Sequence, residues 1–206
     1  MIYFVTAIHT NSGKTLVSAI LTKALQADYW KPVQTGSDER DSEKVEYLIN
    51  NNHSLIYDES YLLKAPLSPH AASKLESIKI DLDNILLPET NGHDLIIEGA
   101  GGLLTPLNDK HFIIDIAEKF NAEIILVSDI YLGSINHTIL TINELKRRKL
   151  NVRGIIFNGL ENIETEEFIL AYSGYQCLLK IRPEKIIDDE AVSKYAIKLF
   201  ETWHGE

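Results

Sequence analysis

The chain has 206 residues, enough for one domain spanning 1–206, and is 45% hydrophobic and 24% charged, the ordinary balance of a soluble globule. A formal net charge of −10 gives a nucleic-acid partner no electrostatic help over most of the surface. Cys177 is the only cysteine, which excludes an intrachain disulfide and suits a reducing compartment. No run approaches the ~18 apolar residues of a membrane span, and residues 1–6 lack the basic flank of a signal peptide. The expected setting is the cytoplasm.

The first predicted strand covers residues 2–5. It runs into Thr6-Ala7-Ile8-His9-Thr10-Asn11-Ser12-Gly13-Lys14-Thr15 and then into a helix over 15–25, with Leu16, Ala19, Ile20 and Ala24 on one side. A strand, a loop with glycine and a helix start together make a phosphate cradle. Gly13 lets backbone N–H groups approach an anion, and the helix adds unpaired N–H groups and its positive end. Lys14 supplies charge for the β- and γ-phosphates of ATP, with Asn11 and Ser12 beside it, and the Thr15 hydroxyl is placed to ligate Mg²⁺. The strict pattern asks for glycine at Ile8, or at Ala7 with one more residue in the loop. The plainer alternative is a helix capped by Ser12 or Asn11, with Lys14 solvated.

Trp30-Lys31-Pro32-Val33-Gln34-Thr35-Gly36 follows the next short strand. Taken alone, Lys31 reads as an ordinary surface lysine. The acidic stretch Asp38, Glu39, Asp41, Glu43 leads into a helix, where Asp41 either caps the helix or reaches a metal; spacing does not decide. Residues 50–89, with Pro66, Pro69 and Pro88, read as long loops with short helices. Next, Asp94-Leu95-Ile96-Ile97-Glu98-Gly99-Ala100-Gly101-Gly102 ends a buried strand (95–97) in a carboxylate and a glycine turn. Phosphate-loop enzymes place a Mg²⁺-holding acid there; the alternative is a tight turn with Glu98 in solvent.

Further strands are predicted at 123–127 and 153–157. Between them a helix over 135–145 carries Ile135, Ile139, Ile142 and Leu145 on one side, then a solvated basic cap, Lys146-Arg147-Arg148-Lys149. A last helix over 189–203 is expected to pack Val192, Ala196, Leu199 and Phe200 on the sheet. Cys177 reads as a small apolar strand residue and His53, His93, His111 and His204 as surface residues. Non-alternating Ile/Val runs mark strands buried on both faces. The fold class is therefore α/β: a mainly parallel central sheet with helices on both faces, a phosphate-loop fold binding ligands beyond the strands' carboxyl ends.

Gly13-Lys14-Thr15, Lys31-Pro32-Val33-Gln34-Thr35-Gly36, Ser68-Pro69-His70, Glu98-Gly99-Ala100-Gly101-Gly102 and Leu132-Gly133-Ser134-Ile135-Asn136-His137-Thr138, in this order, resemble the dethiobiotin synthetase family from residue 2 to about 160. The first is shared with many ATPases; the others together are far more specific. The resemblance implies ATP-dependent ring closure of 7,8-diaminopelargonate with CO₂, through a carbamate and a mixed carbamic-phosphoric anhydride. It implies Lys14 on phosphates; Thr15, Asp41 and Glu98 on Mg²⁺; and Lys31, Thr10 and Thr35 at the carbamate or diamine, with Lys14, Lys31 and Thr10 catalytic. It further implies a homodimer in which Gly133, Ser134, Ile135 and Asn136 of one copy take the far carboxylate of the other's substrate. Asn158 would stand at the adenine edge.

The chain departs from that family at Ala7, whose Cβ clashes if its φ is positive, at His9 and Asn11, where acids are common, and over residues 179–184. His70 and His137 receive no proton-transfer role. The competing readings are a related amidoligase or partition-type ATPase, whose second loop lysine is missing between Ala7 and Gly13, and a nucleotide-binding regulator, for which Lys31 and the 133–136 turn would be unnecessary.

Overall fold

The computed structural model describes residues 1–205 and sets β1 (Ile2–Ala7) in the middle of a seven-stranded sheet. Its other strands are β2 (Asp28–Trp30), β4 (Ile56–Tyr57), β6 (Leu95–Glu98), β7 (Glu123–Asp129), β8 (Val152–Asn158) and β9 (Cys177–Ile181). The order is β4-β2-β6-β1-β7-β8-β9, with every pairing parallel. Two further strands, β3 (Val33–Thr35) and β5 (Tyr61–Leu63), pair in parallel as a side ribbon. From β1 the chain crosses past β6 to β2, and from β6 it crosses back past β1 to β7, so the connections of these two neighbouring strands run in opposite directions. This is the switch point where open α/β sheets take ligands.

Alternation along β1 explains why its sequence looks uniformly apolar. Phe4 points into one core, whereas Tyr3, Val5 and Ala7 point into the other. The Tyr3 side is covered by α1 (Lys14–Leu25), α2 (Asp41–Ile49) and α7 (Asp189–His204), which contribute Val17, Ile20, Val45, Leu48 and Leu199. The Phe4 side is covered by α4 (Ile114–Lys119), α5 (Ser134–Arg148) and α6 (Ile163–Ser173), which contribute Ile116, Ile142, Leu145 and Ile169. Each such side chain stabilises the fold by about 1.5–3 kcal/mol on burial. Helix α3 (Pro69–Leu75) lies near the side ribbon.

In α1, Leu16, Ala19, Ile20 and Ala24 share one core as expected, but the fully buried run is Val17 to Thr22, because α1 is wedged between α2 and α7 as well as on the sheet. Other expectations need correcting. In α5, Thr138 and Thr141 take buried places and Ile135 and Ile139 are half-buried. Thr138 fits by donating to the Ser134 carbonyl and pairing with Ser128 Oγ at 2.8 Å. Phe200 is 44% exposed, since Val192, Tyr195, Ala196 and Leu199 already fill the α7 stripe. The basic cluster that closes α5 is not wholly solvated. Arg148 is largely covered and pairs with Asp115, Glu118 and Glu144. His111 is half-buried rather than surface-bound. Residues 50–89 hold strands β4 and β5 besides α3 and a short 3₁₀ turn (Leu82–Asn84). No helix of the described residues is long and apolar enough to cross a membrane.

Candidate active site

The phosphate loop joins the buried end of β1 to α1. Gly13 holds φ +93°, where a side chain is strained, and a Cβ there would come within 2.3 Å of Asn158 Nδ2. Asn158, at the end of β8, donates from that nitrogen to the Ser12 carbonyl at 2.9 Å and so braces the loop from two strands away. Asn11 adopts φ +66°, a conformation asparagine tolerates. Ala7 is still within β1 and outside the positive-φ residues, so its Cβ costs the loop nothing. Neither Ser12 nor Asn11 caps α1; Gly13 occupies that position, and Ser12 Oγ donates to the His9 carbonyl at 3.0 Å.

Four elements deliver charge to one point. Glu98, at the end of β6, is only 1% exposed, and Lys31, just after β2, is 4% exposed. The Lys31 ammonium donates to Glu98 Oε1 at 3.0 Å and pairs with Asp41 Oδ2. The Thr15 hydroxyl lies 2.8 Å from Asp41 Oδ1 and 3.0 Å from Glu98 Oε1. Lys31 is therefore no surface lysine, Glu98 is not solvated, and Asp41 turns into the site rather than capping α2. Burial works against the Lys31 charge, but the Glu98 and Asp41 carboxylates outweigh it and raise its pKa. Burial likewise opposes the Asp41 charge, and Lys31 prevails in holding that carboxyl below its usual range. Lys14 has less support. Burial pushes its pKa down to about 8, with the Lys31 charge adding to the effect and Glu98 opposing it.

These groups line a cleft of about 810 Å³. Of the residues assigned catalytic, binding or metal roles from the sequence, all line it except Ser12, which is fully buried, and Gly133 to Asn136. That turn begins α5 outside this cleft, with Asn136 exposed. Arg182, Pro183 and Glu184 also line the cleft. Arg182 is tied to the buried Glu166 at 2.9 Å and to Glu161 at 3.0 Å.

Residues 2–191 match the family described as AAA domain. The chain is 58% identical to an ATP-dependent dethiobiotin synthetase of Cytophaga hutchinsonii over 98% of both chains. It is 47% identical to another of Christiangramia forsetii, over 95% of this chain and 94% of that one. The chain belongs to the dethiobiotin synthetase family. Solved structures resemble it at lower identity. A ParA family ATPase of Chlorobium tepidum superposes with TM-score 0.58 at 14% identity, over 98% of this chain and 95% of that one. A cell-division MinC:MinD complex of Aquifex aeolicus gives 0.57 at 15%, over 100% and 96%. At such identities these shapes establish the phosphate-loop α/β fold and nothing about the reaction.

One residue of this cleft escaped the sequence reading. Tyr29, fully buried in β2, donates its hydroxyl to Glu98 Oε2 at 2.9 Å and is that oxygen's only hydrogen-bond partner among the described residues. Burial and the neighbouring Glu98 raise the Tyr29 pKa well above the phenol range, so it remains a donor. The signal was present in the period of two: Tyr29 and Lys31 fall on the same side of an extended segment. Tyr29→Phe should leave a buried carboxylate oxygen unpaired and lower unfolding free energy by about 1–3 kcal/mol. An unchanged urea midpoint would remove Tyr29 from this role.

Proposed function

We propose that the chain closes the cyclic urea of dethiobiotin from 7,8-diaminopelargonate, CO₂ and ATP, releasing ADP and phosphate. The observation that carries this reading is the meeting of Lys14 and Lys31 in one cleft beside Thr15, Asp41 and Glu98. A bare hydrolase of ATP has use for the first lysine; the second is placed for an anionic co-substrate next to the γ-phosphate.

The steps balance as follows. The uncharged amine of the diamine adds to CO₂ and loses a proton, giving a carbamate. A carbamate oxygen attacks the γ-phosphorus and ADP leaves. The second amine then attacks the carbamoyl carbon, phosphate departs, and that nitrogen loses a proton as the ring closes. Phosphoryl transfer needs alignment and charge neutralisation more than covalent help. Lys14 neutralises the phosphate tail from the helix start. Lys31 and Thr10 face the carbamate, and Thr35 faces the diamine. Asn158 stands by the nucleotide base, its amide oxygen left over from the bond to Ser12.

Asp41, Glu98 and Thr15 fit Mg²⁺: all three offer hard oxygens, and the two carboxylates already share one cation, the Lys31 ammonium. No group of three or more His, Cys, Asp or Glu side chains forms a metal cage among the described residues. This suits an ion that takes one or two carboxylates and completes its shell with phosphate oxygens and water. When bound, it adds positive charge at the phosphates. The whole chain acts as one unit in the cytoplasm, and two copies complete each site, the Gly133–Asn136 turn of one taking the far carboxylate of the other's substrate at a helix start.

Measuring ATP hydrolysis with and without 7,8-diaminopelargonate plus bicarbonate tests the reading. Hydrolysis should depend on the diamine; turnover indifferent to it would discard the synthetase and favour a plain ATPase.

A further inference from the structure

His9, two residues past the end of β1, joins two parts of the structure. Its Nε2 donates to Asp129 Oδ2 at 2.9 Å, and Nδ1 faces the Thr10 carbonyl oxygen. Both ring nitrogens thus lie against oxygen atoms of neighbouring groups. The ring stands edge-on to Tyr131, with centroids 5.3 Å apart and planes at 77°. The Tyr131 hydroxyl in turn contacts His137 Nδ1, in the first turn of α5. Asp129 Oδ1 is buried with no hydrogen-bond partner among the described residues, so the interactions of this carboxylate rest on the imidazole. The His9 carbonyl meanwhile accepts from Ser12 Oγ and from Lys14 Nζ, at 3.0 and 3.3 Å. One residue holds the phosphate loop by its backbone and the 129–137 segment by its ring.

We propose that His9 is a positioning residue that pins the segment from Asp129 to His137 onto the phosphate loop, fixing the Gly133–Asn136 turn for the substrate carboxylate of a second copy. The titratable groups near His9 are Asp129 from β7, Tyr131 from the segment after it, His137 and Glu144 from α5, the latter sharing a hollow of about 460 Å³ with His9 and Thr10, and Lys14 from α1 at the His9 carbonyl. The nucleotide loop of one protomer thereby sets the geometry of a turn used by its partner. The inference rests on the reading of that turn given above, and its test separates the two.

Two measurements on the full-length protein do so. Backbone amides of residues 130–137 should exchange with deuterium about fivefold faster or more in His9→Gln than in the wild type, as expected when a local anchor is lost. Equal exchange overturns the pin whatever the turn does. In steady state, His9→Gln should raise the diamine KM about tenfold, with smaller changes in kcat and in the KM for ATP. Asp129→Asn should do the same, and the double variant should be no worse than either single one, the signature of a shared contact. Additive losses, or a fall confined to kcat, overturn the proposal. Asn136→Ala reports on the turn alone: if it raises the diamine KM while His9→Gln does not, only the pin fails. If neither moves it, the role of the turn fails as well.

Discussion

Lys31→Ala is expected to cut diamine-dependent turnover by about 100-fold or more while ATP still binds, the outcome for a charge contact made mainly in the transition state. The ammonium is enclosed and already holds two carboxylates, so its removal has a second consequence. Asp41 and Glu98 would face one another without a cation, and stripping one partner from a buried pair costs about 3–5 kcal/mol. Thermal unfolding should therefore shift down in the apo variant, and added Mg²⁺ should recover part of the loss by taking the same oxygens. Lys31→Arg should not restore turnover, because a planar guanidinium is a poor replacement for a compact point charge in a closed site. Calorimetric ATP binding beside kcat decides the matter: affinity falling as far as turnover would mean that Lys31 serves the nucleotide, not the carbamate.

Lys14→Ala should weaken ATP about 100-fold or more, from the loss of charge-assisted hydrogen bonds to phosphate in a largely buried position. A pH signature accompanies it. With its pKa pushed down to about 8, Lys14 is charged below that value and neutral above it in the free enzyme. Phosphate oxygens require the ammonium, so wild-type ATP binding should take up a proton above pH 8 and weaken as pH climbs toward 10. Titration calorimetry in two buffers of different ionisation enthalpy reads that proton directly, and the alanine variant should lack it. Fold stability carries the opposite trend. Below pH 8 the native state bears the full cost of enclosing the charge. That cost fades as pH rises from 8 toward the ordinary lysine value of 10.5, so this group makes the apo fold more stable with rising pH across that window. Proton uptake that survives in Lys14→Ala would assign it to another group.

The long strands and the phosphate loop were legible in the sequence because each is a local pattern. β1, β6, β7 and β8 are apolar runs sandwiched between helices, and Gly13-Lys14-Thr15 lies between one of them and an amphipathic helix. The shorter strands β3, β4 and β5 were not: they have two or three residues, too few to show a period, and they exist only through pairing with distant chain. The same distinction governs the site. Lys31 alone resembles any surface lysine, and its burial comes from β2 pairing beside β6, some 65 positions away in sequence. Asp41 had two readings of equal standing until the Thr15 hydroxyl and the Lys31 ammonium were seen to meet it. Tyr29 drew no notice because its partner, Glu98, is far along the chain. Phe200 was misplaced because a helical period says which residues share a side, but neighbouring elements decide how wide the buried side is.

The sheet ends in β4 on one margin and β9 on the other. β4 offers only two residues of ladder, and β9 carries the exposed, Glu166-paired Lys180 and is followed within two residues by Pro183. Short, charged or proline-flanked borders make poor templates for a newcomer's backbone. Copies of this chain are thus steered away from joining their sheets into one continuous ribbon.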